Sequence, residues 1–502
     1  MADRAVSPVQ RKAAPPLRLA AVVFVLALAV RLWGLNAAGN VWDEYFYYDA
    51  MRDYVRNIIA LDFNPDHWQS NLEHPPAGKY AYAPALIWNH ARNVSDRDAY
   101  HAPRFMAALY GAGTVALVFL IGSAFFGLDV GVIAALIYGL LPPVIAYHKI
   151  LGLDAPMVFW FTLAMYYLYR WLDSRRSNTL WLAVVVAALA AVSKFNALLI
   201  FPVFLTPIAI EQWPKLRKTG EVTLPLPLLL FPFLVGAMLV LLFPWLWSNT
   251  LDHFLAMLNH WGGHIYELFL GRVREAPPTY FAVHFLVGTP LLVLILQALG
   301  MWQVVRERSL KHWTLLAWFV APFLFSFYHL RQDHLRYVLT AFPAVALLAA
   351  IGLAAVVKRW PKLKLASWGI LAIYLLFVVH AIHPYYLNYY NELVGGAKGV
   401  AKHQTFDLGF YGEGIKEATE VVNASAPVGA TVHYEVIPDD APYLDRPRLV
   451  RHDVIGADYL IVNSNALTDP RKRAAAVTTS YRLIHEVKAA GAPFVWVYQL
   501  VK

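Results

Sequence analysis

Two adjacent acids, Asp43 and Glu44, lie in the run Val41-Trp42-Asp43-Glu44-Tyr45-Phe46-Tyr47-Tyr48. A third, Asp154, stands in Gly152-Leu153-Asp154-Ala155-Pro156. Cations are spread among them: Lys79 in His74-Pro75-Pro76-Ala77-Gly78-Lys79-Tyr80, Arg104 after Pro103, and Lys194 in Ser193-Lys194-Phe195. His329, Arg331, Asp333, His334 and Arg336 crowd one short stretch. A carboxylate takes a proton from an attacking hydroxyl or holds a divalent cation. Lys meets a phosphate as a point charge, Arg as a bidentate partner. Together these residue types describe transfer of a group from a phospholipid-like donor to an acceptor hydroxyl. Plainer readings stay open beside that one. Asp43 and Glu44 suit the N-terminus of a helix beginning near Tyr45, and Asp154, two residues before Pro156, suits an N-cap. His74 fits a turn, and Lys194 and Arg104 fit cations snorkelling to an interface.

The elements that must position these groups follow from composition. Of 502 residues, 59% are apolar or aromatic and only 15% charged, with a mean hydropathy of +0.47. A soluble chain carries roughly a quarter charged residues, so the class is a polytopic membrane protein. The absence of cysteine excludes disulfides, Cys-ligated zinc, iron–sulfur clusters and thiol nucleophiles. A span needs about 20 residues of helix. Charge-poor runs near that size occur at 19–35, 104–126, 130–147, 155–172, 179–193, 195–210, 224–247, 281–305, 312–328, 335–357 and 365–386. These are eleven candidate spans, the fifth and sixth separated only by Lys194.

Basic tracts such as Arg175-Arg176, Lys215-Leu216-Arg217-Lys218 and Lys358-Arg359 all fall on one side of that topology. By the positive-inside rule that side is cytoplasmic. The net charge of +9 is then largely a topology signal, and a nucleic-acid partner drops out. The loop at 36–103, the loop at 248–280 and the tail at 387–502 lie outside, as do the acids and cations of the candidate site. In the tail, strand-like runs at 430–436, 457–462 and 494–498 alternate with helix-like stretches at 412–424 and 470–477. It reads as a small extracytoplasmic α/β domain following a membrane domain at 1–386.

On these residues the chain resembles the GT-C glycosyltransferases. More narrowly, it is similar to the dolichyl-phosphate-mannose protein mannosyltransferase superfamily (family 39), with the lipid A aminoarabinose transferases and the Rgt-like glycosyltransferases. Five segments agree in order: Asp43-Glu44 with the aromatics after it, His74-Pro75-Pro76 with Lys79, Pro103-Arg104, Leu153-Asp154-Ala155-Pro156, and Ser193-Lys194-Phe195. The likeness is good over about the first 210 residues and rests on pattern beyond them. His383-Pro384-Tyr385-Tyr386 and Tyr389-Tyr390-Asn391-Glu392 look like a segment of many bacterial members.

The resemblance implies a GT-C fold of about eleven transmembrane helices and a polyprenyl-phosphate-linked sugar as donor. The sugar passes, with inversion, to a hydroxyl of a protein, a glycolipid or a cell-wall glycan on the extracytoplasmic face of the cell membrane. It makes Asp43 the general base or the carboxylate that orients the acceptor, Glu44 its support or a metal ligand, and Asp154 a second acid. Lys79, Arg104 and Lys194 become the donor-phosphate cations. Arg331 and Arg336 suit that role by chemistry without a motif, and His74 and Tyr47 complete the candidate set. A divalent cation is compatible with the acid pair, since relatives differ on it. A polytopic transporter and a non-enzymatic envelope-assembly protein are the rival readings. A transporter should show repeated halves and polar groups at the midplane, whereas here the charges gather at one face.

Overall fold

The computed structural model describes residues 16–95, 98–260, 265–328, 331–435, 443–445, 449–451, 456–464 and 480–501. His329 and the helix expected at 470–477 lie outside them. Every one of the eleven apolar runs coincides with helix, from Leu17–Leu32 to Lys364–Ile382. Fewer of them are single straight spans. Among the described residues, five stretches suffice by length and composition to cross a membrane: His101–Phe125, Phe195–Thr219, Leu310–Phe327, Arg336–Arg359 and Pro361–Ile382. A sixth arises if Tyr280–Gly288 and Leu291–Glu307, bent by 114°, count as one. Proline is one reason for the difference, and the shortness of Leu17–Leu32 and Ser177–Ala191 is another. Proline removes a backbone donor and clashes with the preceding turn, so runs that look continuous in hydropathy break at Pro142 and Pro290.

A break in a span strands backbone carbonyls that lipid cannot satisfy. At the bend before Leu291 a single residue repairs this. Asn391 donates from its side chain to the Leu286 and Thr289 carbonyls, both at 2.7 Å, and from its backbone to Val287 at 2.7 Å. The tyrosines around it are ties rather than an interfacial belt. Tyr385 reaches Glu417 at 2.6 Å, Tyr390 reaches the Asp407 carbonyl at 2.9 Å, and both rings are buried.

The bundle is tightest where Leu291–Glu307 crosses Phe342–Arg359. A Cβ on Gly300 would lie 1.8 Å from the Leu348 carbonyl oxygen, and one on Gly352 would lie 2.0 Å from that of Leu296. Small residues that admit such backbone approach drive helix association where lipid removes the hydrophobic incentive.

The tail folds around a five-stranded mixed sheet in the order Val450–Arg451, Thr431–Glu435, Tyr459–Asn463, Ala492–Leu500, Tyr481–Ala489. Its first two pairings are parallel and its last two antiparallel. The three strands expected from sequence are present. The Tyr481–Ala489 strand was not expected, because its outward face is polar and its burial alternation irregular. Helices Gly396–His403 and Ile415–Ser425 accompany the sheet. The segment joining sheet to bundle is sewn into the bundle. The Trp42 N–H donates to the Tyr411 carbonyl at 2.8 Å, Gly414 N–H to Ala38 at 3.0 Å, and the Tyr443 hydroxyl to Asn40 at 2.6 Å.

Gly352→Leu should destabilise the protein by about 3 kcal/mol or more, since the added side chain has no space to move into. The readout is the melting temperature in detergent, and a wild-type value would refute the close approach.

Candidate active site

Asp43 and Glu44 are neighbours in the helix Trp42–Ile59, and successive helical residues point about 100° apart. They therefore enter different environments.

Glu44 is fully buried and faces Arg104, which is itself 2% exposed. The Arg104 Nε donates to Glu44 Oε1 at 2.7 Å, and its Nη2 bonds Oε2. The carboxylate also accepts the Leu151 N–H at 2.7 Å and the Val41 N–H at 3.0 Å, so it does cap its own helix. Arg104 spends its remaining donors on Gly39, Asn40 and Asn36. The pair thus binds the start of this helix to the 36–40 stretch and to the turn before Asp154.

Asp43 turns the other way, onto Arg336. One guanidinium collects three carboxylates: Asp43 at 2.5 Å, Asp154 at 2.9 Å and Asp333 at 3.1 Å. Its Nη2 donates to the Tyr47 hydroxyl at 2.8 Å. Tyr47 stands one turn after Asp43 on the same helix, the spacing that puts two side chains on one face. Lys194 completes the cluster, donating to the other Asp154 oxygen at 2.7 Å with its ammonium 4.8 Å from the Tyr337 ring centre. Asp154 opens the Asp154–Ser174 helix without capping it, because both of its oxygens serve these cations. Asp43 is the most open member, with a side chain 24% exposed against 4% for Arg336 and Asp154.

Asp333 belongs to the crowded stretch that ends at Arg336, and nothing in its local sequence marks it as a site residue. It and His334 both have positive φ, 58° and 53°, a region that costs non-glycine residues about 1–3 kcal/mol. The turn is pinned from several sides. Asp333 N–H donates to Glu267 at 3.1 Å, His334 N–H to the Tyr280 hydroxyl at 2.9 Å, and the Tyr147 hydroxyl to the Asp333 carbonyl at 3.2 Å. Burial, and then the nearby Asp43, outweigh Arg336 and push the Asp333 carboxyl up to about 6.

The other sequence candidates stand nearby without joining this cluster. His74 bonds the Tyr47 hydroxyl at 3.0 Å. Lys79 is buried under the same loop, donating to the carbonyls of Asn71 at 2.5 Å and His74 at 3.0 Å, with Tyr54 4.8 Å away. No carboxylate lies within ion-pair distance of it among the described residues, and burial lowers its ammonium to about 7. Arg331 points away, onto the backbone carbonyls of Ala276 and Tyr328, both at 2.6 Å. Tyr411, which sequence reasoning missed, packs its ring 5.4 Å from the Arg336 guanidinium carbon. Its sequence signal is two aromatics among the glycines of Gly409-Phe410-Tyr411-Gly412-Glu413-Gly414. Among the described residues no group of three His, Asp or Glu side chains is arranged to hold a metal ion. The three acids that converge do so on a guanidinium.

The family model described as dolichyl-phosphate-mannose-protein mannosyltransferase matches residues 21–257. No curated protein matches in sequence. Two crystal structures of ArnT from Cupriavidus metallidurans are similar in fold. The apo form has a TM-score of 0.57 at 13% identity, covering 97% of this chain and 98% of that one. The form bound to undecaprenyl phosphate has a TM-score of 0.55 at 12% identity, covering 96% and 98%. At such identities the likeness concerns the fold, and it extends through the C-terminal sheet.

Two predictions follow from this geometry. Glu44→Gln leaves Arg104 a buried charge without its partner, which should cost about 3–5 kcal/mol. A melting temperature within a degree of wild type would contradict it. The folded protein also holds the Asp333 proton more tightly than the unfolded chain. The Asp333 contribution to stability should be complete below the ordinary carboxylate range and be lost as the pH rises through about 6. Asp333→Asn should flatten melting temperature against pH in that window, and an unchanged slope would sink the assignment.

Proposed function

We propose that this chain, a membrane glycosyltransferase of the GT-C superfamily, moves a sugar from a polyprenyl-phosphate donor to an acceptor hydroxyl with Asp43 as the base. The observation that carries the reading is the Arg336 cluster. Among its three acids, Asp43 is the most exposed, with a side chain 24% exposed against 15% for Asp333 and 4% for Asp154, and its ion pair to Arg336 fixes its orientation. In the transfer, the acceptor oxygen attacks the anomeric carbon and its proton passes to Asp43. The bond from that carbon to the phosphate oxygen breaks, leaving its electron pair on the lipid phosphate, and the configuration inverts. A positioned base contributes roughly 10²–10⁴-fold to such a step.

The leaving phosphate gains negative charge and needs a cation not already neutralised. Arg104 is committed to Glu44, and Lys194 to Asp154. Lys79 is the phosphate cation in this reading, because an anion beside it would restore the charge that burial suppresses. It is tied to the cluster through His74, whose carbonyl accepts from Lys79 and whose ring meets Tyr47. Asp154 and Lys194 hold Arg336, and Glu44 with Arg104 holds the helix that presents Asp43. Arg331 ties the backbone at Tyr328 to that at Ala276. The basic tracts at the far ends of the helices support placing this site on the extracytoplasmic side of the cell membrane.

The test is transfer of labelled sugar from a panel of polyprenyl-phosphate sugars in proteoliposomes. Asp43→Asn should reduce turnover by about 10²–10⁴-fold while sparing donor binding, and Lys79→Met should instead weaken binding of polyprenyl phosphate. Wild-type turnover by Asp43→Asn would remove Asp43 as the base. A wild type that transfers no sugar of the panel would count against the function itself.

A further inference from the structure

The tail supplies more than a cover for the site. Its segment Gly409–Gly414 passes directly over the Arg336 cluster, with glycines 409, 412 and 414 all at positive φ, 62°, 89° and 83°. Glycine takes these angles without the penalty a side chain would bring. At Gly409 a Cβ would also stand 2.7 Å from the Phe494 ring. The segment is gripped at both ends. Asn388 accepts the Gly409 N–H at 2.6 Å and donates to Glu413 at 2.6 Å, and Gly414 N–H bonds Ala38. In the middle, the Tyr411 carbonyl takes the N–H of Trp42, an orphan donor of the first helical turn and the residue immediately before Asp43. Phe410 packs on His334, ring centres 4.0 Å apart, against the strained turn that leads to Arg336.

This construction places two tyrosines beside one guanidinium, Tyr47 at 5.8 Å and Tyr411 at 5.4 Å. They differ in one respect. The Tyr47 hydroxyl meets both Arg336 and His74. The Tyr411 ring is buried, 4% exposed, yet among the described residues its hydroxyl has no hydrogen-bond partner. Its oxygen is not sealed from solvent, so the hydroxyl keeps a face open to a ligand. A group held there by so specific a loop is accounted for by a ligand that completes it.

We propose that Tyr411 is a substrate-contacting residue, its hydroxyl donating a hydrogen bond to a phosphate oxygen of the lipid-phosphate leaving group. The inference rests on the glycosyl-transfer reading above. In the step, Tyr411 keeps its proton and only shares it. The electron pair of the broken bond goes to the phosphate, the acceptor proton goes to Asp43, and the hydrogen bond strengthens as the phosphate gains charge. The bundle and the tail then form one active site.

The experiment compares the full-length wild type with Tyr411→Phe, which keeps the ring and removes the donor. Loss of one preorganised donor to a developing oxyanion costs on the order of 10²-fold in turnover, so kcat should fall by about that factor with KM little changed. Inhibition by the product polyprenyl phosphate should weaken by about tenfold, and the melting temperature should not move. Wild-type kcat and product inhibition in Tyr411→Phe would overturn the proposal, also if Tyr411→Ala were inactive, because the ring would then only pack. Direct binding of polyprenyl phosphate to the wild type, read by tryptophan quenching, separates the two readings. Binding that Tyr411→Phe shares at equal affinity rejects Tyr411 alone, and no binding by the wild type rejects the lipid-phosphate donor with it.

Discussion

The arrangement depends on a single buried guanidinium. Arg336 is 3% exposed and faces three carboxylates that repel one another. A charge in such a place is tolerable only when paired and hydrogen-bonded. Asp43, Asp154 and Asp333 come from three separate parts of the chain, so the pairing also fixes three elements relative to one another. Three acids face two cations, Arg336 and Lys194, and the excess is eased by the upward displacement of the Asp333 carboxyl. A site built this way is rigid where it is paired and most open at Asp43.

Around it, other buried polar groups do local work of the same kind. Glu44 and Arg104 hold the helix that carries Asp43, and Asn391 repairs the broken span after Gly288. Phe410 and Tyr411 brace the turn ahead of Arg336. Each lies where an apolar scaffold has to change direction. The helices alone, held by small-residue contacts such as Gly300 with Gly352, cannot specify such turns.

Much of this was legible beforehand. In a membrane, polar groups are expensive, so a scarce charge marks a place of consequence, and Asp43, Asp154, Lys194 and Arg336 were all marked. Helix positions were equally legible, because apolar runs must be helical where backbone groups have no water. The number of straight spans was not, since hydropathy does not register a bend at proline. Nor was the division of labour among the cations. Lys79, Arg104 and Arg331 resembled Lys194 and Arg336 as sequence, but their partners come from distant segments.

The sequence by itself determined the class of the protein, the helical runs and the short set of charged residues from which a site had to be drawn. Tertiary structure decided which charges meet. Asp43 and Glu44 are adjacent in the chain and about 100° apart on their helix, so one reaches Arg336, 293 positions away, and the other reaches Arg104. It also brought in Tyr411, whose residue type and neighbours announce nothing until the glycine turns carry it over the guanidinium. Local sequence sets the direction in which a side chain leaves its element. Only the packing of the elements sets what it finds there.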